Sequence, residues 1–285
     1  MYIGIDLGGT NIAVGLVNEE GTIVCKDSAP TLTHRHYSEI IRDMAQLSLN
    51  LLKMSNLSVQ QVKAVGIGSP GVVDSKKGIL IYSSNLNFNN VPMRMEMQKH
   101  INLPVYMEND ANCAALAEAV AGACKDTLYS VTITLGTGIG AGIIIDKKIY
   151  NGFCYGGGEL GHMVIHMDGE QCTCGRLGCW EAYASATALI GQTKKAALKN
   201  PQSVINKLVD GDMDKIGGKT AFDAAKAGDI IGREIISKYI GYLGEGITNV
   251  INIFRPEVLA IGGGLSKQGE YLLGPLREMV RERVY

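Results

Sequence analysis

Twice in this chain an apolar strand runs into a glycine turn and comes straight back as a second strand. The first copy, YIGIDLGGTNIAVGLVNEEGTIV, begins at Tyr2; it alternates apolar residues, breaks at Gly8-Gly9, resumes, and turns again at Glu20-Gly21. The second copy, SVTITLGTGIGAGIIIDKKIYNG, begins at Ser130. Aligning Leu7 with Leu135 sets Gly8 on Gly136 and Ala13 on Ala141. A strand–turn–strand unit that recurs in this way predicts an internally duplicated protein, with one meander opening each half. At 285 residues, each half is long enough to bury its own core. The boundary is expected near Gly122, which gives an N-terminal domain over 1–121 and a C-terminal domain over 122–285.

Helical and extended segments alternate between and after the copies. Ile40, Ile41, Met44, Leu47 and Leu51 recur at helical spacing, and LPVYMENDANCAALAEAVAGA runs from a short strand into an alanine-rich helix. ASATALIGQTKKAALKN reads as a helix, DIIGREIISKYIGYLGEGITNVINIF as a long one, and VLAIGGGL as a buried strand ending in glycines. This order predicts α/β domains that face each other across a cleft. Formal net charge is −1 with no Lys/Arg block, so the chain lacks the electrostatic footprint of a nucleic-acid or anionic-membrane binder; small molecules are the expected partners. No apolar run approaches the roughly 18 residues that span a bilayer, and Met1 leads into a strand, which predicts a cytoplasmic protein. Seven cysteines, an odd number, do not describe an oxidised framework. Cys25, Cys113, Cys124 and Cys154 lie in apolar surroundings and are expected to be buried and inert.

Three glycine turns follow apolar strands: DLGGTN, LGTGIGAG and IGGG. Glycine there lets backbone N–H groups point outward as a cradle for phosphate oxygens. One such turn is an ordinary tight turn; three, two of them in duplicated positions, favour phosphate. Asp6, placed in the first turn, is a candidate for holding Mg²⁺ through water. GIGSPG at 66–71 fits a dinucleotide fingerprint, but Pro70 leads it into a turn or hairpin rather than the helix such a fold requires. Gly217-Gly218-Lys219-Thr220 resembles the end of a P-loop, yet Met213 occupies the leading glycine position. In YMENDANCAALAE a strand delivers Asn109 and Asp110 to a helix start. A carboxylate there serves as a cap, or, kept ionised at a cleft mouth, as the base that takes a hydroxyl proton in phosphoryl transfer.

ELGHMVIHMDGEQCTCGRLGCWE crowds three cysteines and a histidine between two glutamates. Cys172, Cys174 and Cys179 with His162 make the Cys₃His set of a closed tetrahedral zinc site, and Gly175 and Gly178 supply its turns. His166 is the rival histidine and is expected to be an ordinary strand residue. A four-ligand site has no open position, so the metal is expected to shape a loop. That loop would bring Glu159 and Glu181 onto one pocket wall, where paired carboxylates accept sugar hydroxyls.

With DLGGTN, ENDAN, LGTGIGAG, GELGH, C-x-C-G-x-x-G-C-x-E and IGGG in this order from Asp6 to Gly264, the chain resembles the ROK family of sugar kinases and sugar-responsive repressors. The resemblance is nearest its glucokinase branch in ENDANCAALAE, GGGELGHM and EAYASATAL. It implies a duplicated actin-like ATPase (ribonuclease H-like) fold and ATP-dependent phosphorylation of the 6-hydroxyl of glucose, with ATP, Mg²⁺ and a structural Zn²⁺. It implies Asp110 as catalytic base, Asn109, Glu159, His162 and Glu181 as sugar contacts, and Gly71 and Asn85 beside them. Asp6, Gly8, Gly9, Thr10, Asn11, Thr137, Gly138, Gly263 and Gly264 would serve the nucleotide. A homodimer is implied as well. Fructose, mannose and N-acetylmannosamine are alternative substrates, and a non-catalytic sugar sensor is the alternative role. Family repressors begin with a DNA-binding segment, whereas this chain starts at the first ATPase strand; the resemblance also implies one more strand and helix beyond a last helix such as EYLLGPLREMVRERV.

Overall fold

A computed structural model describes all residues, 1–285, and they form two compact units: 1–117 with 150–157, and 118–149 with 158–285. In the first unit the strands are β1 (Tyr2–Leu7), β2 (Asn11–Val17), β3 (Ile23–Pro30), β4 (Val65–Ser69), β5 (Val72–Asp74), β6 (Ile79–Ser83), β7 (Phe88–Val91) and β8 (Val105–Asn109). Helices α1 (Tyr37–Met54) and α2 (Met93–Gln98) belong to it, and α3 (Asp110–Ala121) starts in it. The main sheet has the order β3-β2-β1-β4-β8, with β1, β4 and β8 parallel to one another; β5, β6 and β7 form a small antiparallel sheet. GIGSPG therefore leads into a hairpin, as its proline predicts. The alternation of β1 and β2 buries Ile3, Ile5, Leu7, Ile12, Val14 and Leu16, and α1 covers them with Ile40, Ile41, Met44 and Leu51.

The second unit carries β9 (Ser130–Leu135), β10 (Ile139–Ile145), β11 (Lys148–Ile149) and β12 (Val258–Gly263), with helices α4 (Glu181–Ala184), α5 (Ala186–Lys199), α6 (Val204–Leu208), α7 (Thr220–Lys226), α8 (Ile230–Phe254) and α9 (Glu270–Arg283). Its sheet order, β11-β10-β9-β12, repeats β3-β2-β1-β4: two antiparallel pairings and then a parallel one. The duplication is real, but its turns differ in length. Leu7 pairs with Ile12 across four turn residues, whereas Leu135 pairs with Ile139 across three. Ala13, which faces Asp6, therefore corresponds to Gly140 facing Thr134, one residue short of the Ala141 that a gapless alignment selects. Asp6 itself lies within β1 rather than in the turn.

Asp229 caps α8, accepting from the Gly232 N–H at 3.1 Å, and the apolar stripe of that helix packs on the β9–β12 sheet. No helix is long and apolar enough to cross a membrane. Trp180, the sole tryptophan, is fully buried; its indole donates to the Tyr242 carbonyl at 3.0 Å and lies against Gly246. A methyl at Gly246 would overlap the indole. Gly246→Ala is expected to cost about 2 kcal/mol by overpacking, read as an earlier midpoint in a urea titration followed by Trp180 fluorescence.

Candidate active site

The predicted residues of the first unit collect at the carboxyl ends of β1, β4 and β8. Parallel pairing puts Asp6, Gly68 and Glu108 in one row across the three strands. The middle position has no side chain, so the start of α3 fits over it: a Cβ on Gly68 would meet the Asp110 Cα at 3.7 Å. This is the strand-end edge where parallel α/β sheets place ligands.

Asn109 takes the capping duty that was open to Asp110. Its Oδ1 accepts from the N–H groups of Ala111 at 2.9 Å and Asn112 at 3.1 Å, while its Nδ2 donates to the Gly71 carbonyl at 3.2 Å. Gly71 can offer that carbonyl because it holds φ +106°, and a Cβ there would overlap the Tyr82 carbonyl. Asp110 Oδ1 accepts from the Ala111 N–H at 2.9 Å, and the residue is exposed to solvent. Desolvation pushes its carboxyl above the ordinary aspartate range against the N–H groups that hold it down. Asp6 is raised too, first by desolvation and then by the charge of Asp110. Two acidic groups sharing a strand end in this way fit a cation-binding edge.

The Gly8–Asn11 turn is closed by the Gly8 N–H on the Asn11 carbonyl at 2.9 Å. Buried Thr31 braces it through Oγ1 on the Gly8 carbonyl at 2.7 Å. Asn85 lies directly against Gly9, where a Cβ would meet the Asn85 carbonyl at 3.2 Å. The tip, Thr10 and Asn11, is exposed. Thr31 carries no motif that marks it in the sequence, and Glu108 stands in ENDAN without a sign there of the hydrogen bonds it makes.

In the second unit, pairing of Gly263 with Leu135 sets the end of β12 beside the end of β9, so the two glycine turns at Gly136–Gly138 and Gly263-Gly264 are neighbours. Thr137 is exposed at the first of them. Glu181 joins this turn to the cysteine loop. Its Oε2 accepts from the Ile139 N–H at 2.9 Å, pressed against Gly138 where any Cβ would overlap the carboxylate. Its Oε1 lies 3.4 Å from Thr173 Oγ1 and 3.9 Å from Cys172 Sγ. Glu159 precedes a 3-10 turn, exposed, its carbonyl accepting from the His162 N–H at 3.1 Å.

His162, Cys172, Cys174 and Cys179 bring their ligand atoms within 4.8 Å of one another, a set able to hold a metal ion. His166 is outside it: the ring reaches the Met167 carbonyl at 3.1 Å, stacks on Tyr183, and sits in a bend instead of the expected strand. Among the scattered cysteines, Cys124 is buried and Cys25 and Cys113 half-buried, but Cys154 is exposed on the 150–157 segment, contrary to expectation. Burial pushes the Cys113 thiol up to about 12, with Glu108, Asp110 and Asp6 adding to it, which leaves it inert as a nucleophile.

Repeated β-β-β meanders, strand-end glycine turns and a Cys₃His loop together define an actin-like ATPase fold with an insertion able to hold a metal ion. The ROK family model matches residues 2–285, and the chain belongs to that family. It is 40% identical over 279 residues to the glucokinase of Thermotoga maritima, covering 98% of this chain and 86% of that protein. A ROK family glucokinase from Streptomyces griseus, solved in complex with glucose and AMPPNP, superposes with a TM-score of 0.87 at 35% identity, over 99% of this chain and 89% of that one. The xylose repressor of Caldicellulosiruptor bescii is 34% identical over 284 residues, 99% of this chain and 70% of the repressor.

Proposed function

We propose that this protein is an ATP-dependent hexose kinase that phosphorylates a 6-hydroxyl, with glucose as its substrate. The observation that carries the reading is Asp110: Asn109 caps the helix in its place, which leaves an accessible carboxylate beside Asp6 at the strand end that also bears the first phosphate turn. In this reading Asp110 takes the proton of the primary hydroxyl as that oxygen attacks the γ-phosphorus, and the bond from phosphorus to the ADP oxygen breaks. Backbone N–H groups of the Gly8–Asn11 and Gly136–Gly138 turns hold phosphate oxygens, with Gly263 and Gly264 toward the nucleoside. Mg²⁺, held near Asp6, would neutralise charge on the polyphosphate.

Asn109, Glu159, His162 and Glu181 serve the sugar hydroxyls, with Gly71 holding Asn109 and Asn85 backing the Gly9 turn. Zinc suits the Cys₃His set. With Zn–S about 2.3 Å and Zn–N about 2.0 Å, a tetrahedral ion separates neighbouring ligand atoms by about 3.5–3.8 Å. The Cys174 and Cys179 sulfurs are 3.6 Å apart, as are Cys172 Sγ and His162 Nδ1. The family also supports a homodimer, which light scattering on the purified protein tests.

Purified protein with MgATP is expected to release ADP only when hexose is added, fastest with glucose in a panel that includes fructose, mannose and N-acetylmannosamine. Binding of sugar without ADP release would overturn the kinase reading in favour of a sensor, and a faster turnover on another hexose would move the substrate assignment.

A further inference from the structure

Glu108, one residue before the capping Asn109, carries a full set of hydrogen bonds, and every donor is neutral. Oε1 accepts from the Asn109 N–H at 2.9 Å and Asn112 Nδ2 at 3.2 Å; Oε2 accepts from Ser75 Oγ at 2.8 Å and Asn151 Nδ2 at 3.1 Å. Asn112, nearly fully buried, also donates to Asn151 Oδ1 at 2.9 Å, which closes a triangle of side chains. Four segments meet on this one carboxylate: the β5–β6 turn through Ser75, the end of β8, the first turn of α3, and Asn151.

Asn151 is the neck of a loop. Its carbonyl accepts from the Gly157 N–H at 2.9 Å, and Gly152 and Gly157 lie back to back, a Cβ on either meeting the other's Cα at 2.9 Å. The loop packs with the first unit although the chain enters it from β11 and leaves it for Glu159, two residues beyond Gly157. The 3-10 turn Phe153–Tyr155, at its far side, packs against β5, whose buried Asp74 precedes Ser75. One end of the network thus fixes the turn that presents Asp110, and the other fixes the start of the segment that leads to Glu159.

We propose that Glu108 is a positioning residue: by accepting from Asn109 and Asn151 at once it locks the base turn and the neck of the 151–157 loop together, and so sets how tightly a hexose is held. The inference rests on the kinase reading for its consequence, but the lock is a matter of donors and acceptors alone. Charge balance with a cation plays no part in it, since all partners are neutral, and this makes the arrangement invertible.

Glu108→Gln puts an amide donor against Asn151 Nδ2. Turning the Asn151 amide only moves the donor–donor conflict onto Asn112, and turning Asn112 sets its oxygen against the oxygen of the new amide, so no rotation resolves it. Asn151→Asp alone sets two carboxylates against each other. The double variant Glu108→Gln/Asn151→Asp satisfies every group again: the new amide donates to the new carboxylate, Asn112 donates to both, and the Ser75 hydroxyl rotates to accept.

Each single variant is expected to raise the hexose KM about tenfold or more with the KM for ATP within about twofold, and the double variant to return to within about threefold of wild type. Amide exchange over 150–158 is expected to speed up in the singles and to slow again in the double. A Glu108→Gln enzyme at wild-type hexose KM, or a double variant no better than the two losses combined, overturns the lock. If a single variant fails to fold, recovery or failure of the double decides the same point. Absence of hexose-dependent ADP release from wild type would strike the kinase reading instead, and the exchange pattern would still judge the lock.

Discussion

Asp110→Asn is expected to lower kcat by about 10²–10⁴-fold, the range a positioned base contributes, while the hexose still binds within a few-fold of wild type. Asparagine keeps the shape and an acceptor for the sugar hydroxyl but cannot take its proton. Stability is expected to move the other way. The folded-state pKa of Asp110 is raised by desolvation, so the folded protein holds this proton more tightly than the unfolded chain does. That contribution is complete below the unfolded value of 3.8 and is lost as pH rises through the folded value, so at neutral pH the carboxylate is a net cost. The Asn variant removes this cost and the repulsion with Asp6, and its melting temperature at pH 7 is expected to equal or exceed that of wild type. In wild type the acid limb of kcat/KM is expected above 3.8, because the base works only when ionised. Retained turnover in a coupled ADP assay would remove Asp110 from the base role; a variant that melts much earlier would show a structural loss instead.

How far the sequence reveals this site follows from what each residue needs. Glycine turns after apolar strands, a Cys₃His spacing and an Asn-Asp pair at a helix start are local patterns, and local patterns survive in one dimension. The duplication is legible for the same reason, yet its second turn is one residue shorter, which pairing registers reveal and residue matching does not. Which of Asn109 and Asp110 caps the helix depends on side-chain direction, and the sequence offers two equally good oxygens. Thr31 stays invisible because its partner, Gly8, lies far along the chain, and Glu108, although it opens ENDAN, hides its role for the same reason, since Ser75 and Asn151 are distant in sequence. Gly68 reads in one dimension only as part of a fingerprint that Pro70 rules out, although its missing side chain is what lets α3 begin beside Asp6. Cys154 misleads because its flanking residues are apolar, while the loop that carries it leaves Phe153 exposed as well.

Cys179→Ser, or removal of the ion by a strong chelator, is expected to lower kcat/KM for hexose about a hundredfold and to weaken nucleotide binding as well. The double effect follows from Glu181, two residues beyond the last cysteine. It is held on one side near Cys172 and Thr173 and on the other by the Ile139 N–H that follows the Gly136–Gly138 turn. A cation that fixes His162, Cys172, Cys174 and Cys179 thereby also fixes the shape of that turn, although no ligand atom belongs to it. In the proposed reading, releasing the loop frees His162 from the sugar side and Glu181 from both. Between Cys179 and Glu181 sits Trp180, buried against Gly246 and bonded to the Tyr242 carbonyl, so its emission is expected to shift to the red when the ion leaves. The rest of the second unit has its own apolar core under α7, α8 and α9 and is expected to keep its far-UV circular dichroism. Metal analysis of the variant, with hexose and nucleotide titrations in parallel, checks the chain of cause. Loss of hexose binding with an unchanged nucleotide affinity would show that Glu181 does not couple the two, and full activity in metal-free protein would show that the knot shapes neither.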